Sequence, residues 1–111
     1  MTQTLPAKHD VTQGVLEMRR GEGFVITTDI TNLSSTTPSS IVDTIIRASD
    51  NTDVTTDFLA VNSPTASGTV ITHSEILPPA DAALGTYILN VQFEADGFSP
   101  AKRIVYIEVY E

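Results

Sequence analysis

Cysteine and tryptophan are absent from this 111-residue chain, and positive charge is scarce. Without cysteine the chain has no disulfide framework, no thiolate nucleophile and no cysteine–zinc site. Six basic residues stand against fourteen acidic ones, which gives a formal net charge of −8. Because nucleic acids and anionic membranes are bound through Lys and Arg, neither is expected as a partner.

Long apolar runs and targeting signals are also missing. No run approaches the roughly 18 residues that a membrane helix needs, so a soluble chain is expected. The first residues, MTQTLPAKHD, have no basic region followed by an apolar one, as a secretory signal would. We therefore expect a protein made in the cytoplasm without a signal peptide. The length suits one domain with its own core and is short for two.

Thr, Val and Ile are abundant, and they alternate with polar residues in a way that is typical of β-strands. The clearest segment is GTYILNVQFE at 85–94. About seven such segments, separated by turn-rich loops, predict an all-β fold, an immunoglobulin-like antiparallel β-sandwich. The sandwich is expected to span residues 14–111, after a loose N-terminal arm over residues 1–13.

The same alternation predicts which side chains form the core. The segment IVDTIIRA at 41–48 is predicted as a strand with Val42 and Ile46 inward, and a weaker strand is predicted around Phe58 and Leu59. The predicted core residues are Phe24, Ile26, Ile30, Val42, Ile46, Tyr87, Leu89, Val91, Phe93, Val105, Ile107 and Val109.

Residues that could support catalysis are few. His73 is followed by Ser74 and Glu75, and side chains of adjacent strand residues point to opposite faces, so these three cannot form a relay. His73 is predicted to be an ordinary surface or rim histidine. No G-x-S-x-G elbow and no glycine-rich loop that opens a helix occur. No catalytic residue and no cofactor are predicted, and the protein is expected not to be an enzyme.

One acidic loop contains candidate metal ligands. Asp50, Asp53 and Asp57 could offer oxygen atoms to Ca²⁺, although their spacing differs from that of an EF-hand loop. Asp is also a preferred turn residue, because its side chain bonds to the nearby backbone. The three residues are therefore expected to form turns, and no metal is predicted; a calcium site is the alternative.

The final strand supplies the candidate interface. Its inward residues leave Ile104, Tyr106 and Tyr110 on the opposite face. Exposed apolar patches mark contact sites, and tyrosine is enriched in interfaces. If the strand lies at a sheet edge, it could also pair with a neighbouring chain. The alternative is that these side chains pack under the N-terminal arm, residues 4–11.

The order of the segments carries a resemblance. RGE at 20–22 precedes the strand FVITTDIT, the apolar strand IVDTIIR ends in arginine, and GTY at 85–87 opens a later strand. This order resembles the immunoglobulin-like domain of bacteriophage tail and baseplate proteins, found at the N-terminus of baseplate upper proteins. The resemblance implies a structural module of a virion, with other virion proteins or itself as partner. The alternative is an adhesion or carbohydrate-binding module of a bacterial surface protein.

Overall fold

The computed structural model describes residues 2–6, 13–30, 37–59, 61–95 and 98–111, which form two β-sheets and one short helix. The prediction of an all-β fold with two sheets is confirmed. The elements are β1 (Thr2–Pro6), β2 (Gln13–Arg19), β3 (Val25–Asp29), β4 (Ser39–Arg47), α1 (Thr55–Phe58), β5 (Thr65–Ser67), β6 (Val70–Thr72), β7 (Gly85–Ala95) and β8 (Phe98–Tyr110).

The two sheets have four strands each, in the orders β1-β3-β6-β5 and β2-β8-β7-β4. β1 runs parallel to β3, β2 runs parallel to β8, and the other neighbours are antiparallel. The segment predicted as a loose arm therefore contains a paired strand, β1. The final strand β8 lies between β2 and β7, and β2 pairs with its residues 105–110, so over that length β8 is not the sheet edge that was considered as a site for strand pairing.

The core lies between the two sheets. Every predicted core residue outside β4 is buried, including the alternating residues of β7 and β8. Further buried apolar side chains, which the alternation did not predict, come from β2, β4, β6, the segment around α1 and the connection between β6 and β7. They are Met18, Ile45, Val54, Phe58, Leu59, Ile71, Ile76 and Ala82.

Strand β4 has the opposite orientation to the predicted one. Val42 is 51% exposed and Ile46 is half-buried, whereas Asp43 and Ile45 are buried. The predicted register was wrong by one residue, and such a slip moves every side chain of a strand to the other face. The cause is Asp43, whose carboxylate has a partner inside the sandwich.

The prediction of a strand around Phe58 and Leu59 is also wrong, because this segment contains the single turn of α1, Thr55–Phe58. Just before it, the chain bonds to the free edge of β4. The N–H of Val54 donates to the carbonyl of Ile45 (2.9 Å), and the N–H of Arg47 donates to the carbonyl of Thr52 (2.8 Å). Within the described ranges, no helix is long and apolar enough to cross a membrane.

Candidate functional site

His73 lies directly after β6, with its side chain between the two sheets and only 3% exposed. Its backbone N–H donates to the carbonyl of Ile26 at 3.0 Å, which holds it beside β3. The prediction of a surface or rim histidine is therefore wrong. Ile71 and His73 are both buried, whereas Thr72 between them is exposed.

Both ring nitrogens of His73 have partners. Nδ1 lies 3.1 Å from each carboxylate oxygen of Asp43, and Nε2 lies 2.7 Å from Oγ1 of Thr28. Because a carboxylate only accepts hydrogen bonds, Nδ1 carries the hydrogen and donates it to Asp43. The Thr28 hydroxyl then donates to Nε2 when the ring is neutral and accepts from it when the ring is protonated. All three side chains are at most 3% exposed.

The order hydroxyl, imidazole, carboxylate is the one used in nucleophilic relays. The three side chains cannot act as such a relay here, because a substrate would need to approach the Thr28 oxygen to about 3 Å and Thr28 is 0% exposed. The cluster instead joins the sheets: Thr28 lies on β3 and His73 directly follows β6 of the same sheet, whereas Asp43 lies on β4 of the other. We call these three side chains the inter-sheet clamp.

Sequence reasoning missed the clamp although one signal was present. Asp43 lies between the apolar pairs Ile41-Val42 and Ile45-Ile46 of β4, and a carboxylate that enters a core needs a hydrogen-bonding partner. That partner, His73, is 30 residues further along the chain. A period-two pattern within a single strand cannot show a contact over that distance.

A second charged side chain also points inward. Arg103 on β8 is 2% exposed, and no hydrogen-bond partner lies near its three guanidinium nitrogens in the described part of the chain. Burial lowers the pKa of Arg103. The register pairs Arg103 with Val91 and Val91 with Asp43, so all three share one inward row. Two strand spacings, about 10 Å, separate the backbones of the two charged residues.

The candidate calcium ligands serve the turn before α1. The backbone N–H of Thr52 donates to Oδ1 of Asp50 (3.1 Å), and that of Thr55 donates to Oδ1 of Asp53 (2.9 Å). Hydrogen bonds from Thr52 lower the pKa of Asp50, and those from Thr55 lower the pKa of Asp53. Asp57 lies exposed within α1. Among the residues described, no three acidic, histidine or cysteine side chains form a group that could hold a metal.

The predicted interface residues lie on the outward side of the sheet β2-β8-β7-β4. Ile104 is 37% exposed, Tyr110 is 44% exposed and Tyr106 is half-buried. The register places Tyr106 beside Ile88 and Ile88 beside Ile46, so an apolar row crosses three strands. We call this side of the sheet the outer face. Of the predicted arm over residues 4–11, the part in β1 does not cover this face, because β1 pairs within the other sheet; residues 7–11 lie outside the described residues.

The charges of the outer face are separated along β8. Lys102 is exposed towards one end of the strand, and Glu108 is half-buried towards the other. Glu17 of β2 is directly paired with Glu108, so two carboxylates lie side by side. The hydroxyl of Thr86 donates to Glu108 at 2.7 Å. Along β8, the outer face thus has an apolar centre with Lys102 on one side and, on the other, Glu108 beside Glu17.

No family model and no curated protein match this sequence. Among solved structures, the chain is similar to the crystal structure of the cysteine protease inhibitor EhICP2 from Entamoeba histolytica, with a TM-score of 0.49 and 8% identity over 98% of this chain and 97% of that one. It is also similar to the solution structure of amebosin, with a TM-score of 0.44 and 12% identity over 99% of both chains.

Neither of these structures is described as a tail, baseplate or capsid protein. On this finding the predicted function, a structural module of a bacteriophage virion, is wrong, and so is the description of the chain as a viral protein. The alternative of an adhesion or carbohydrate-binding module receives no support either.

Proposed function

We propose that this chain is a non-enzymatic protein-binding module that acts through its outer face. The observation that carries the proposal is the apolar row Tyr106, Ile88 and Ile46, with Ile104 beside it, on the outward side of a sheet. An antiparallel sheet with one solvated face normally has polar side chains at outward positions. The inward sides of β7 and β8 already supply the core, so the packing between the two sheets does not account for these outward residues.

The composition of the outer face suits a protein partner. Interfaces combine an apolar, often aromatic centre with a polar rim, and Lys102 and Glu108 provide such a rim. A surface depression of about 300 Å³ has only one charged side chain in its lining, that of Arg47. The hydroxyl–imidazole–carboxylate cluster is buried, which supports a role other than catalysis.

The finer fold assignment, an immunoglobulin-like sandwich, is part of the same proposal. When the strands β3 to β8 are lettered B to G, with β1 and β2 as two parts of strand A, the sheets read A-B-E-D and A-G-F-C. This arrangement corresponds to the immunoglobulin order. The hydroxyl of Tyr87, near the start of β7, donates to the carbonyl of Ala83 at 2.7 Å. Such a bond resembles the tyrosine corner of that fold.

Site-specific photo-crosslinking tests the proposal. A photoreactive amino acid at position 104 of the outer face should give a discrete protein adduct in an extract of cells that express the chain. Excess unlabelled wild-type chain should suppress the adduct, and the Tyr106→Glu variant should not. The matched control is position 61, because Val61 is 68% exposed and lies outside this sheet. The absence of an adduct at 104, or equal adducts at both positions, would overturn the proposal.

A further inference from the structure

Four outward side chains of the final strand form a self-complementary row. In order they are Lys102, Ile104, Tyr106 and Glu108: a cation, two apolar residues and an anion; the outward Tyr110 follows them. Read in the opposite direction, the row has the same apolar centre with its charges exchanged. These four residues can pack against a reversed copy of themselves, with the two apolar positions facing one another and opposite charges facing at both ends.

A twofold axis gives this arrangement. If the axis lies parallel to the sheet and crosses β8 between Ile104 and Tyr106, the strands of the two copies run in opposite directions. Ile104 then faces the partner's Tyr106, and Lys102 faces the partner's Glu108. Outward residues are about 7 Å apart along a strand, so both charged residues lie about 10 Å from the axis. The interface is isologous, and each contact occurs twice.

From this complementarity we infer that a second copy of the chain binds the outer face, by antiparallel packing about this axis. The inference rests on the proposed function and names the partner. In the dimer, the apolar rows of the two copies lie side by side across the axis, since Tyr106, Ile88 and Ile46 share one register row. Each copy thereby covers apolar surface that is exposed in the monomer.

The charges select this orientation over the parallel one. A twofold axis along the strands would place Glu108 on the partner's Glu108, beside Glu17 in each copy. Like charges that face one another are unfavourable, particularly for a chain with a net charge of −8. In the antiparallel dimer, the partner's Lys102 approaches this carboxylate pair. Arg19, the nearby cation on β2, has its guanidinium 4.0 Å from Glu22.

The twist of the sheets is compatible with these contacts. Packed sheets cross at about 30°, so positions about 10 Å from the axis are displaced sideways by about 5 Å. The apolar contacts lie near the axis, where the displacement is small. The flexible four-carbon stem of Lys102 can span the displacement at the end of the row.

Charge reversal tests the inference directly. Sedimentation velocity and light scattering over a range of concentrations should show a wild-type dimer in equilibrium with monomer. Lys102→Glu alone and Glu108→Lys alone should each raise the dimer Kd by at least about tenfold, because each places like charges together twice. The double exchange, which keeps the net charge at −8, should return Kd to within about threefold of wild type.

The control is Asp81→Lys, which changes the net charge as much as Glu108→Lys at an exposed turn outside the outer face. It should leave Kd within about twofold of wild type. A wild-type monomer at all concentrations, a single reversal without effect, or a double exchange without recovery would overturn the dimer. A crosslinked adduct at position 104 with a different protein, from a chain that stays monomeric, would overturn the dimer and leave the proposed function standing.

Discussion

Replacing Asp43 with alanine removes both carboxylate oxygens that accept from Nδ1 of His73, each at 3.1 Å. The imidazole N–H would then remain buried without an acceptor, at a cost of about 1–3 kcal/mol. The lost side-chain atoms leave a small cavity in the core, which adds about 1 kcal/mol. We therefore expect Asp43→Ala to lower the free energy of unfolding by about 3 kcal/mol.

Urea unfolding and differential scanning calorimetry measure this loss. For 111 residues, the unfolding entropy is about 0.23 kcal/mol per degree, so a loss of 3 kcal/mol lowers Tm by about 13 °C. The matched control is Asp57→Ala in α1, where the carboxylate is exposed; it should change stability by less than about 0.5 kcal/mol.

A double-mutant cycle separates the contact from a general effect on the core. Once Asp43 is replaced, His73→Leu removes a ring that has already lost its acceptor. His73→Leu should therefore cost less in that background than in the wild type, by about 1–3 kcal/mol. If Asp43→Ala cost less than about 0.5 kcal/mol, or if the coupling were below that value, the inter-sheet clamp would not stabilise the fold.

Other substitutions test the register of β4, the acidic turn and the buried arginine. Ile45→Ala should cost about 2–5 kcal/mol in urea unfolding and Val42→Ala less than about 0.5 kcal/mol; the reverse order would favour the register predicted from the sequence. Hydrogen bonds lower the pKa values of Asp50 and Asp53, so their stabilisation is present above pH 3.8 and is lost as pH falls through the lowered values; replacing both with Asn should make the acid-induced loss of stability in urea unfolding less steep. Since both carboxylates already accept backbone hydrogen bonds, EDTA should shift Tm by less than about 1 °C, and a fall above about 5 °C would indicate a structural ion. Arg103→Met should be neutral or raise stability by up to about 4 kcal/mol, whereas a loss above about 3 kcal/mol would reveal a partner for the guanidinium.

The inward faces of strands were predicted correctly where the large apolar residues all lie at every second position. In β7 and β8 the large side chains repeat at every second position, so one register buries them and the alternative exposes them. β4 carries apolar residues in both parities, with Ile41 and Ile45 in one and Val42 and Ile46 in the other. The local pattern favours an inward face formed by Val42 and Ile46, with Asp43 outward, because a carboxylate usually faces water. The contact with His73 reverses that preference.

The helix α1 and part of the outer face were missed for different reasons. Val54, Phe58 and Leu59 repeat at helical spacing, so a local signal for α1 was present, in a segment too short for the pattern to be distinctive. Ile46 belongs to the outer face only in the actual register of β4. The interface predicted on β8 alone was therefore narrower than the apolar row that the sheet assembles.

The alternation of inward and outward side chains along β8 explains two unusual features of this strand, the buried Arg103 and the self-complementary outward row. Val105, Ile107 and Val109 fix the inward parity of the strand, and the same parity carries Arg103 into the core without a partner among the residues described. A bulge could turn Arg103 outward, but it would shift Lys102 relative to Glu108 and destroy the self-complementary row. If that row mediates dimerisation, the free-energy cost of burying Arg103 is the consequence of keeping Lys102 in register with the outer face.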